Sequence, residues 1–130
     1  MKTEAFDDIF TQNTLKNLFP KDRADCFFDA LFGDASEGAY DISLDFMEGD
    51  QGKLRFQFGL KQRPGKCLAC NLTYGLPQVF SRHPVINMKG LIRDIDHLLD
   101  GQAKCRDWQF GRTREISKTL HVIPLSVSLR

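Results

Sequence analysis

A chain of 130 residues that is 42% hydrophobic and holds 11 Phe is one ordinary domain, 1–130, with enough apolar mass for a core without staples. Its 18 Lys+Arg against 17 Asp+Glu leave a formal net charge of +1, so no global field draws it to nucleic acid or to a membrane surface. No apolar run approaches the roughly 20 residues that cross a bilayer, and Met1 to Asp8 carries early acids with no apolar signal core. With four Cys read as free thiols, the expectation is a cytoplasmic protein.

In chain order, Phe6, Ile9 and Phe10 predict a short helix. The polar run Thr11-Gln12-Asn13-Thr14 interrupts it, with Asn13 or Thr14 as N-cap for Leu15 to Phe19. Pro20 suits the first turn of a further helix, in which Ala24, Phe27, Phe28, Leu31 and Phe32 form one face and Cys26 lies opposite. Gly33 ends that helix.

Three alternating runs come next. Tyr40, Ile42, Leu44 and Phe46 alternate with Asp41, Ser43 and Asp45; Leu54, Phe56, Phe58 and Leu60 alternate with Lys53, Arg55, Gln57 and Lys61; Leu68, Cys70, Leu72 and Tyr74 repeat the pattern. Side chains on a strand point alternately to opposite faces, so each run has one apolar and one polar face. The turn-rich links Gly49-Asp50-Gln51-Gly52 and Arg63-Pro64-Gly65 predict an antiparallel three-strand meander.

After Tyr74, Pro77 opens a short helical turn and Pro84 closes it. Asn87 caps the clearest helix, with Leu91, Ile92, Ile95, Leu98 and Leu99 on its buried stripe and Gly101 as its stop. Trp108 and Phe110 share a face of a short strand. Ile116, Leu120 and Val122 mark a longer one that Pro124 interrupts, and Leu125, Val127 and Leu129 alternate beyond it. The order α-α-β-β-β-(α)-α-β-β predicts an α+β fold, an antiparallel sheet of about five strands with helices packed on one face.

Four candidate sites stand out. Cys67-Leu68-Ala69-Cys70 is a CxxC, the spacing of zinc and redox sites, yet residues three apart on a strand diverge, so a structural thiol pair is the competing reading. Arg63, Lys66, Asn71, Tyr74, Gln78, Arg82 and His83 form the densest mixture of polar, aromatic and turn residues, the rim of a pocket for a small anion or a solvated connection. The segment Lys104 to Arg114 interleaves basic residues with Trp108 and Phe110, as single-stranded nucleic-acid binders do; the alternative is a hairpin with both rings in the core. His83 and His121 are acid–base candidates only as histidines, His121 falling opposite the apolar pattern. No nucleophile elbow, P-loop or Gly-rich dinucleotide turn occurs, so catalysis has no positive evidence.

In element order the chain resembles double-stranded-RNA-binding domains and type III secretion chaperones. In residues, the stretch Arg63-Pro64-Gly65-Lys66-Cys67-Leu68-Ala69-Cys70-Asn71-Leu72-Thr73-Tyr74-Gly75-Leu76-Pro77, with Leu31-Phe32-Gly33-Asp34 and His121-Val122-Ile123-Pro124-Leu125, is similar to a small set of uncharacterised bacterial proteins. Some of those carry a pancreas/duodenum homeobox name, although no three-helix homeodomain pattern is present here. That resemblance implies no activity. The resulting expectation is a non-catalytic binding or assembly module without a cofactor, holding a protein partner or small anion, with homodimerisation as a further option. A Cys67/Cys70 zinc or thiol site and a single-strand nucleic-acid binder are the alternatives.

Overall fold

The structure is a computed structural model that describes residues 3–34, 36, 38–50, 52–66, 75–101 and 103–130. Helices α1 (Thr3–Ile9), α2 (Gln12–Leu18) and α3 (Arg23–Phe32) precede the hairpin of β1 (Tyr40–Gly49) and β2 (Lys53–Gln62). Helices α4 (Leu76–Arg82) and α5 (Met88–Leu99) follow, then β3 (Cys105–Phe110), β4 (Arg114–Ser117) and β5 (Leu120–Leu129). The fold is α+β. Its antiparallel sheet of five strands runs β1-β2-β5-β3, with β4 beside β5 beyond the end of β3.

Period-two patterning sets the register. Phe46, Leu44 and Ile42 of β1 lie opposite Phe56, Phe58 and Leu60 of β2, which in turn face Leu125, Ile123 and His121 of β5. Directly opposed residues share a face, so this row forms one apolar surface. The helices cover it with aromatic rings. Phe10 meets Phe46 at 5.0 Å and Phe56 at 5.1 Å between centroids, Phe19 meets Phe58 at 5.1 Å, and Phe80 packs edge-on against Phe27 and Phe58. The opposite face carries Asp41, Ser43, Arg55, Lys61, Ser126 and Ser128. Lys53 and Gln57 sit there half-buried, so Lys53→Ala and Gln57→Ala are each expected to shift stability by no more than about 0.5 kcal/mol in a denaturant titration.

The meander stops at two strands, because the second neighbour of β2 is β5 and not the run that follows it. That run, with Leu68, Cys70, Leu72 and Tyr74, lies outside the described residues. Nor does Pro124 interrupt its strand. A proline harms a ladder only by its missing N–H. The Pro124 carbonyl accepts from Gly111 N–H at 2.8 Å, so the backbone polar side of Pro124 faces Gly111–Thr113, where the neighbouring edge leaves the ladder between β3 and β4. The missing donor falls at a gap. With the strand continuous, the phase of Leu125, Val127 and Leu129 carries back to His121. That histidine is therefore buried on the helix-covered face, where the sequence placed it opposite the apolar pattern.

Helix ends hold two smaller differences. The cap of α2 is Thr11, whose hydroxyl accepts from Thr14 N–H at 3.3 Å, ahead of the expected Asn13 or Thr14. Pro20 precedes α3, which begins after Asp22. Gly33 ends α3 in the left-handed region as expected, but Leu31 and Phe32 are 46% and 58% exposed. Among the described residues Phe32 stacks on Phe28 at 6.0 Å and meets no other ring, and neither Leu31 nor Phe32 belongs to the core. No helix among the described residues is long and apolar enough to cross a membrane.

Candidate functional site

Among the described residues, β1 pairs with β2 on one side, and its outer edge meets no further strand. Ala39 accepts the Arg63 N–H at 2.9 Å, and N–H and C=O of one residue point to the same side of a strand, alternating along it. Asp41, Ser43 and Asp45, in phase with Ala39, therefore spend their backbone groups on β2. Ile42 and Leu44 aim theirs outward, and no backbone partner meets them among the described residues.

Helix α2 runs beside this edge and turns it into a groove of about 370 Å³. Leu15 and Phe19 form the helix wall, Ile42 and Leu44 the strand wall, and Gln12, Lys16, Lys21, Asp41, Ser43, Asp45 and Lys61 the rim. Unpaired main-chain donors and acceptors beside an apolar trough match what an added strand requires. One end of the edge is fixed by Arg63, whose guanidinium donates to Asp25 at 2.7 Å and Asp41 at 2.9 Å and lies 5.4 Å over the Phe28 ring. The other end is a bulge at Met47, where the register with β2 shifts. Among the described residues, neither Lys16, Lys21 and Lys61 nor Asp45 has an opposite charge within 4.0 Å.

The opposite sheet edge is built differently. Register shifts interrupt it between Cys105 and Asp107 and between Glu115 and Ser117, and Gly111–Thr113 part β3 from β4. Bulges of this kind blunt an edge against further pairing.

The residues singled out from the sequence are partly dispersed. Arg63 is held between its two carboxylates. Lys66 ends a Pro-Gly turn in which its N–H donates to the Arg63 carbonyl at 3.1 Å, with Gly65 at φ 75°. It faces Asp34, whose carboxyl is held below its usual range, first by the Ser36 N–H and hydroxyl and then by the Lys66 charge. Gln78, Arg82 and His83 do come together, along a shallow depression on α4 with Val79 and Pro84. His83 serves packing there: Nδ1 accepts from Val85 N–H at 3.2 Å, and the ring sits 4.8 Å from Phe27. Asn71, Tyr74, Cys67 and Cys70 lie outside the described residues, among which no metal-ligand cluster occurs. Trp108 and Phe110 lie half-buried on the helix-covered face, 5.4 Å apart, packed against the core, and Phe110 reaches Phe58.

Of the two described thiols, Cys26 is exposed on α3 and Cys105 is half-buried. Burial, reinforced by the Asp96 carboxylate, pushes the Cys105 thiol from 9.0 to about 11. The thiolate is the reactive form, so peptide-resolved mass spectrometry should find Cys26 alkylated in the native protein well before Cys105. A pKa raised by folding favours the protonated folded state: this contribution is full below pH 9.0 and is lost as pH rises toward about 11. A thermal-melt series across that window checks it.

The groove residues were legible only as core. Leu15, Phe19, Ile42 and Leu44 each fall on an apolar face and are buried in the core, so the groove beside them is set by the polar residues of its rim. Comparison of the chain with family models, with curated proteins and with solved structures finds no match.

Proposed function

We propose that this protein is a non-catalytic binding module that holds an extended segment of a partner protein as an added strand on β1. The observation that carries the reading is the outward backbone edge at Ile42 and Leu44, which no strand meets among the described residues, set beside the groove under α2. In this mode main-chain hydrogen bonds supply affinity and the trough selects side chains at alternate positions. A reducing cytoplasm suits the two free thiols Cys26 and Cys105.

Amide hydrogen exchange tests the reading. In the free protein the Ile42 and Leu44 amides should exchange faster than those of Ser43 and Asp45, which bond β2. A ten-residue peptide alternating Val and Ser, added in excess, should protect Ile42 and Leu44 and leave α4 unchanged. Equal exchange at all four amides, or protection confined to the Gln78–His83 depression, would overturn the proposal in favour of a site on α4.

A further inference from the structure

We draw no further inference here: the strongest candidate, the exposed apolar surface patch that Leu31 and Phe32 form on the last turn of α3, carries nothing, because no feature of the described residues shows what covers it.

Discussion

Replacing Phe58 with Ala is expected to cost about 3–5 kcal/mol, the range for truncating a buried aromatic side chain. Phe58 is fully buried near the middle of β2, between Leu44 and Ile123. Its ring meets three elements: Phe19 at the end of α2 at 5.1 Å, Phe80 on α4 at 5.6 Å and Phe110 on β3 at 6.0 Å. The loss therefore combines transfer of the ring with a cavity that no single helix can shift to fill. Against a total stability of about 5–15 kcal/mol, that is a large share. Urea titration followed by far-UV circular dichroism reads it. A cost below about 1 kcal/mol would mean that this ring is not at the junction of sheet and helices.

Gly38→Ala is expected to destabilise by about 1–3 kcal/mol, as overpacking does. Gly38 lies in the link between α3 and β1. An added Cβ would fall within the Phe28 ring, against Cδ2 and 2.6 Å from Cε2. That ring cannot retreat, being packed against Phe27 at 5.4 Å and Tyr40 at 4.8 Å with the Arg63 guanidinium above it. Gly75→Ala is the matched control. No atom of the described residues lies within 4 Å of its added Cβ and its φ of −84° is open to any residue, so lowering the entropy of the unfolded chain should leave it neutral or slightly more stable. In a Phe28→Leu background the cost of Gly38→Ala should shrink, since the two positions share one space. A cost that stays additive would locate the strain in the backbone.

How far this fold can be read from residues depends on the distance over which each feature is decided. The β1–β2 hairpin was plain because alternation and a tight link are local, and Tyr40 to Phe46 and Leu54 to Leu60 each keep one phase. The Asn87 cap of α5 was plain for the same reason: its side chain accepts from Gly90, three residues on. The partner of β2 was not legible, since it is chosen by residues 120–128, which the chain brings in from far away. Pro124 misled because its cost depends on which neighbour its nitrogen faces, and that neighbour has a gap. Leu31 and Phe32 fit the helical stripe, but the stripe outruns the surface it covers. The groove was least visible of all. Its apolar walls are core residues, and only the edge position of β1 among the described residues leaves a groove there; the polar cluster that did attract attention places Arg63 in an ion-pair clamp.

The central place of β5 also has a consequence in time. About 58 residues separate the end of β2 at Gln62 from the start of β5 at Leu120. At synthesis rates of about 5–20 residues per second, the hairpin leaves the ribosome roughly 3–12 s before its central neighbour. Through that interval both edges of the hairpin stand open, and Leu54, Phe56, Phe58 and Leu60 lack the strand that later lies alongside them. The nascent chain is then most exposed to pairing with another chain, and a ribosome-associated chaperone would find its substrate in the β1–β2 hairpin.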